Sequence, residues 1–263
     1  MNFGRLSLTL GPARSASSDP LSAIFAVPGT RGGVLSFDYT RNRMWTTSDR
    51  TTLVTAETDP IGYVAPLYGT GLYVQQTNAA ARPVAGDARA TLSGSQYLQM
   101  PTPGFSLRKR FICFAVEQTA DVDYKGFVTS APASGLDWNQ SSAFTVGNED
   151  GHMAFIANVG SGSDMAAKAA GAGPTPAAVW DILIDGPSVE ISKDSVVVAS
   201  TTANSQLAET HAGDLLLGCR YEGAPSSFFG GHFRGLYADI SDRIPTGDEI
   251  AFVRDATAAE AGL

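Results

Sequence analysis

The chain has 263 residues with 28 Gly, 14 Pro, 2 Cys and only 17% charged side chains, and its 43% hydrophobic share is that of an ordinary globular protein. That length supplies a sizeable core and excludes wholesale disorder, while sparse charge suits short strands and turns better than long salt-bridged helices. A formal charge of -8, from 18 basic and 26 acidic side chains, repels a nucleic-acid backbone and excludes nucleic acid as a partner.

In chain order, residues 1–20 read as an extended arm and linker. Leu6, Leu8 and Leu10 alternate with Ser and Thr in the pattern of a half-buried strand, which Gly11-Pro12 stops. A lone strand must borrow a sheet. These leucines are therefore candidates for an assembly arm on a neighbouring subunit, or for a strand that closes the domain's own sheet. The apolar run is too short for a cleaved leader, and no stretch approaches the ~20 apolar residues that span a bilayer. The expectation is a chain made in a cytoplasm, with no membrane partner.

Residues 21–263 read as one domain of closely spaced strands. They are predicted at Ala23–Val27, Val34–Phe37, Gln96–Met100, Arg110–Glu117, Gly126–Thr129, Ser142–Val146 and His152–Val159. Further strands are predicted at Val179–Ile184, Val189–Ser192, Ser195–Ser200, Asp214–Gly218 and His232–Ile240. Asn148-Glu-Asp-Gly151 reads as a hairpin turn, and Lys193-Asp194 stands at two-residue hairpin spacing. Thr246 and Glu249 form a capping box for a helix over Asp248–Glu260, with Gly262 just past its end. Asp164–Ala170 reads as a weaker helix or a loop. The predicted fold is all-β, a β-sandwich or jelly roll with an N-terminal extended arm and a short C-terminal helix. Cys113 and Cys219 each lie in an apolar run and read as buried free thiols.

Five stretches resemble a known family. Leu21–Gly33 followed by Thr51–Tyr63 resembles the opening of concanavalin A-like (laminin-G-like) lectin/glucanase domains in tailed-bacteriophage structural proteins. Gln75–Pro83 and Leu92–Met100 resemble the segment before the first core strand and that strand, and Phe233–Ile240 with the acidic helix resembles the family's C-terminus. The likeness covers residues 21–263 and implies two antiparallel sheets face to face, with helix confined to the end. Ser93-Gly94-Ser95-Gln96 lacks the Asp residues often seen in that turn, which counts against a calcium site there.

Some members of that fold are glycosidases, whose retaining mechanism needs two carboxyl groups about 5–5.5 Å apart. No Glu-x-Asp-x-x-Glu type run is present, and Glu149-Asp150 sits in a turn. Gly-x-Ser-x-Gly is absent. His152, His211 and His232 are scattered without metal-ligand spacing, and Gly160-Ser-Gly-Ser163 lacks the Lys-Ser/Thr of a phosphate loop. The expectation is a non-enzyme with no cofactor.

Binding groups are sparse. Asp137, Trp138 and Asn139 put an aromatic face beside a carboxylate and an amide, the types a sugar site uses, although the preferred reading of Trp138 is a side chain folded back over the sandwich edge. Asp121 and Asp123 read as an exposed hairpin or a calcium pair, and Arg108-Lys-Arg110 as a solvated basic island ahead of a strand or a guard against edge pairing. The resemblance implies a virion structural protein, a capsid- or tail-attached decoration or fibre component whose partners are other virion proteins and copies of itself. The alternative is a carbohydrate-binding adhesin that recognises host-surface glycans.

Overall fold

The computed structural model describes residues 19–119, 123–157, 165–168, 173–174, 176–202, 207–210 and 212–263, with 165–168 as backbone. Leu6, Leu8 and Leu10 lie outside the described residues, as do Asp121 and His211.

Helix α1 (Pro20–Ala26) is followed by β1 (Arg31–Ser36), β2 (Met44–Trp45), β3 (Tyr63–Val64), β4 (Pro66–Gly69), β5 (Val74–Gln75), β6 (Val84–Gly86), β7 (Arg89–Ser93) and β8 (Leu98–Met100). Next come β9 (Lys109–Gln118), β10 (Lys125–Ser130), β11 (Phe144–Glu149), β12 (His152–Ala157), β13 (Met165–Lys168), β14 (Ala178–Asp185), β15 (Ser188–Lys193) and β16 (Val196–Thr201). The last elements are β17 (Leu215–Leu217), β18 (Arg220–Tyr221), β19 (Pro225–Ser226), β20 (Gly230–Ser241) and helix α2 (Gly247–Ala261).

Two nine-stranded antiparallel sheets form a β-sandwich. Sheet one runs β16-β15-β14-β9-β20-β1-β4, with β7 and β6 beside the first half of β20. Sheet two runs β13-β12-β11-β10-β17-β8-β5-β3-β2. Alternation along the strands sends Ile112, Phe114, Trp180, Ile182, Phe233 and Tyr237 of sheet one inward, against Val64, Leu98, Val128, Val146, Phe155 and Leu217 of sheet two. The opposite face of sheet one is apolar too. Val34, Phe111, Cys113, Ala115, Ala238 and Ile240 are buried there beneath Leu21, Ile24, Val253 and Ala261 of the two helices. The helices thus make a third layer over β4, β1, β20, β9 and β14 of sheet one.

Helix α2 carries the predicted capping box. Thr246 Oγ1 accepts from Glu249 N at 3.3 Å, and Glu249 Oε2 accepts from Thr246 N at 2.8 Å. Arg243 grips Glu249 at 2.7 Å, holding its carboxyl below the ordinary value, and donates to Ile24 O at 3.1 Å, which ties both helices together. The last turn of α2 seats on a bulge in β20 at Gly235. A Cβ there would lie 2.6 Å from Ala261 N, and the residue has φ +61°.

Four expectations are corrected. Ala23–Val27 is not a strand but part of α1, because Asp19 caps Leu21 N, Pro20 sits in the first turn, and Leu21 and Ile24 present one apolar side. Helix is therefore not confined to the C-terminus. Within Asp164–Ala170 the backbone of Met165–Lys168 pairs with β12, where the sheet supplies the hydrogen bonds. The β15–β16 turn is Asp194-Ser195, one residue later than the spacing suggested; both have positive φ, and Lys193 pairs with Val196. Finally, Arg108-Lys-Arg110 is no solvated island at a sheet edge. It leads into β9, an interior strand, and Arg110 is fully buried on Asp239, through Nε to Oδ1 at 2.9 Å. The Asn148–Gly151 turn stands as expected, with Asp150 and Gly151 both at positive φ and Glu149 opposite His152. Asp123 Oδ1 accepts from Gly151 N at 2.6 Å.

Both cysteines are free and buried, Cys113 beneath α2 and Cys219 beneath the loops on the far side of sheet two. Burial pushes both thiols well up from their ordinary value, so little reactive thiolate exists. The native protein is expected to leave both unlabelled by a thiol reagent at neutral pH and to label two per chain in denaturant. Rapid labelling of either in the native state would contradict the packing.

Candidate functional site

With the middle of sheet one under the helices, the outer face of sheet two is the other broad surface of the sandwich. Its strand register lines up one row of outward residues: Trp45, Tyr63, Gln75, Gln99, Leu216, Thr129, Thr145 and Ile156. Neighbouring strands lie about 4.8 Å apart, so consecutive members stand side by side.

The row is divided. Leu216, Thr129, Thr145 and Ile156 are buried. The loop from Ala131 to Ser142 and the β18–β19 hairpin cover the middle of the row, with Tyr97, Tyr221 and Phe228 packed on Leu216 and Cys219. Asp137 anchors this cover. Its carboxylate accepts from Thr145 Oγ1 at 2.7 Å, Tyr221 N at 2.8 Å and Arg220 Nη2 at 3.0 Å. Thr129 completes the network, with its Oγ1 3.0 Å from Thr145 Oγ1 and donating to Cys219 O at 2.7 Å. Beyond the ends of β8 and β17 lies a hollow of about 290 Å³ with Tyr221, Thr102 and Asp214 in its wall.

The other half of the row is a half-buried ledge of Trp45, Tyr63, Gln75 and Gln99. Tyr63 meets Trp45 edge-on at 5.7 Å between ring centroids and stacks on Tyr73 at 5.5 Å and 16°. The guanidinium of Arg50 lies 5.1 Å from the Tyr63 centroid. Burial raises the Tyr63 hydroxyl above its ordinary value, so it stays a neutral donor and acceptor. Aromatic faces take apolar C–H surface, and carboxamides both donate to and accept from hydroxyls. This set can bind a ligand that is apolar on its faces and polyhydroxylated at its edges.

The sequence-derived trio does not make a site of that kind. Asp137 is fully buried and engaged by Arg220, Thr145 and Tyr221, because Arg220 needs a counter-charge beneath the cover. Trp138 is half-buried, and only Asn139 is exposed, where its Oδ1 accepts from Gln140 Nε2 at 3.0 Å. The ledge residues escaped sequence reasoning because their strands are two or three residues long. The one signal was the repeated pattern of Tyr63-Val64, Tyr73-Val74-Gln75 and Tyr97-Leu98-Gln99, each with one buried aliphatic beside an aromatic or amide.

No protein-family model matches the sequence, and no curated protein matches it. Solved structures do share the fold. An arabinofuranosidase complexed with arabinofuranosyl-alpha-1,2-xylobiose is similar at TM-score 0.58 and 11% identity, over 91% of this chain and 65% of that one. A GH54 α-L-arabinofuranosidase soaked with a cyclic sulfate inhibitor gives TM-score 0.57 at 11% identity, with the same coverage. Domain 4 of AbnA, a GH43 extracellular arabinanase from Geobacillus stearothermophilus, in complex with arabinotriose, gives 0.50 at 12% identity over 86% of each chain. At these identities the shared feature is the β-sandwich fold. This chain spans 65% of the two arabinofuranosidase chains.

Proposed function

We propose that this domain is a carbohydrate-binding, lectin-like module and that the ledge of Trp45, Tyr63, Gln75 and Gln99 is its sugar-binding surface. The observation that carries this reading is the open half-row, where two aromatic rings and two carboxamides stand in register on an otherwise covered face. The fold is shared with a domain solved in complex with arabinotriose, which supports the same class of ligand. We also propose that the module cleaves nothing: the ledge of Trp45, Tyr63, Gln75 and Gln99 holds no pair of carboxyl groups to protonate a glycosidic oxygen and attack at carbon.

A virion role, with capsid or tail proteins and other copies as partners, rests on the sequence resemblance of residues 21–263. Fixed-stoichiometry recovery of the chain with particles would support it, and that role is compatible with glycan binding. The glycan reading stands first because both the ledge and the shared fold favour it.

Calorimetric titration with arabino- and xylo-oligosaccharides tests the proposal. Trp45→Ala is expected to weaken binding about tenfold, the upper end of what one aromatic contact supplies. Trp138→Ala and Asn139→Ala should bind as the wild type does. Loss of binding in those two with none in Trp45→Ala would move the site to the loop. Absence of binding to any glycan in a broad array would overturn the function.

A further inference from the structure

The charged side chain packed on the ledge is an arginine. The arginines of this acidic chain mostly find carboxylates: Arg31 meets Asp242, Arg41 Glu260, Arg108 Glu209, Arg110 Asp239, Arg220 Asp137, Arg234 Glu117, Arg243 Glu249 and Arg254 Asp181. Arg43, Arg50, Arg82 and Arg89 have no such partner among the described residues; Arg82 donates to Gln76 O and Thr77 O, and Arg50 packs on the ledge. Arg50 is exposed, with its guanidinium beside the Tyr63 ring. It ends a tight turn, with its N–H donating to Thr47 O at 3.2 Å and φ at +61°. The nearest carboxylate in sequence, Asp49, is turned to Thr47 and Thr51, accepting from Thr51 N at 3.2 Å and Thr51 Oγ1 at 3.0 Å. The turn thus separates the two charges, engaging the anion internally and leaving the cation on the aromatic ring. Arg43 is exposed two residues before Trp45 with buried Met44 between them, so strand alternation sets it on the side of Trp45.

We propose that the glycan taken on this ledge is acidic, and that Arg50 receives the carboxylate of one of its sugar residues, with Arg43 adding positive charge on the Trp45 side. This rests on the glycan-binding reading. A guanidinium presents a planar fork of donors matched to the two oxygens of a carboxylate, and packing on Tyr63 holds that fork in place before the ligand arrives. The neighbouring carboxamides would take hydroxyls of the same or the next sugar.

Oligogalacturonate and its methyl ester test the inference, since they share stereochemistry and differ in charge. The acid is expected to bind the wild type at least about tenfold tighter than the ester at low ionic strength, and the difference should shrink as salt screens it. Arg50→Gln should bring the acid's affinity down to the ester's, and Arg50→Lys should keep only part of the preference. Arg108→Gln, which changes net charge equally but pairs elsewhere with Glu209, should keep all of it. Unaltered melting temperature in the Arg50 variants, an exposed site, shows that they fold. Equal affinity for acid and ester, or a preference that survives Arg50→Gln, overturns this inference and leaves the glycan-binding function standing. No binding of acid, ester or neutral arabino-oligosaccharide by the wild type overturns both.

Discussion

Asp239→Ala is expected to cost about 3–5 kcal/mol, the usual consequence of removing one partner of a buried ion pair. The wild-type pair is sealed between the sheets. Arg110 and Asp239 are both 0% exposed, and the Tyr237 hydroxyl also donates to Asp239 at 3.0 Å. Burial works against the guanidinium charge and the Asp239 carboxylate outweighs it, so Arg110 stays a cation at any ordinary pH. Without Asp239 that cation keeps the Tyr237 hydroxyl and the faces of Phe105 and Phe144, at 5.4 Å each. For a chain of this size the loss corresponds to a melting temperature roughly 10 °C lower. Replacing both partners together by apolar residues of similar volume is expected to be far less costly, because no charge is then stranded. Calorimetric melting of the single and double variants checks this. A single variant as stable as the wild type would show that Arg110 escapes to water.

Asp137→Ala should be nearly as damaging but local. Arg220 would lose its only carboxylate among the described residues, and Thr145 and Tyr221 N would lose their acceptor, all beneath the cover on sheet two. The expected cost is again about 3 kcal/mol. Its signature is chemical: Cys219, which that cover buries, should become open to a thiol reagent, while Cys113 beneath α2 stays protected. Equal protection of both thiols in the variant would refute the anchoring role.

These two residues also show why sequence reasoning reached the architecture more readily than the site. Lys109–Gln118, Ala178–Asp185 and Gly230–Ser241 are long enough for an apolar run to show, and a capping box is a local signal that needs no partner. Burial of a charge is not local. Arg110 sits in a run that looks solvated, and only Asp239, 129 residues on, makes it a core residue. Asp137 looks like a sugar ligand until Arg220, 83 residues on, claims it. The ledge was hidden for another reason. Between Met44 and Met100 the strands of sheet two hold two or three residues each, too few to display a period, and the row of side chains exists only once β2, β3, β5 and β8 are laid side by side.

The far end of sheet one has its own consequence. β16 pairs only with β15 and carries no charged residue over Val196–Thr201, and its first two residues, Val196 and Val197, are 63% and 53% exposed. Val198 and Ala199 lean on the core, Val196 and Val197 are open to solvent, and among the described residues no strand lies beyond this rim of the sheet. Such a rim is a template on which a further extended segment can dock without any change in the fold beneath it. Val197→Lys is therefore expected to reduce self-association in concentrated solution at little expense to the sandwich, because the side chain it replaces is exposed; light scattering of the two proteins checks this.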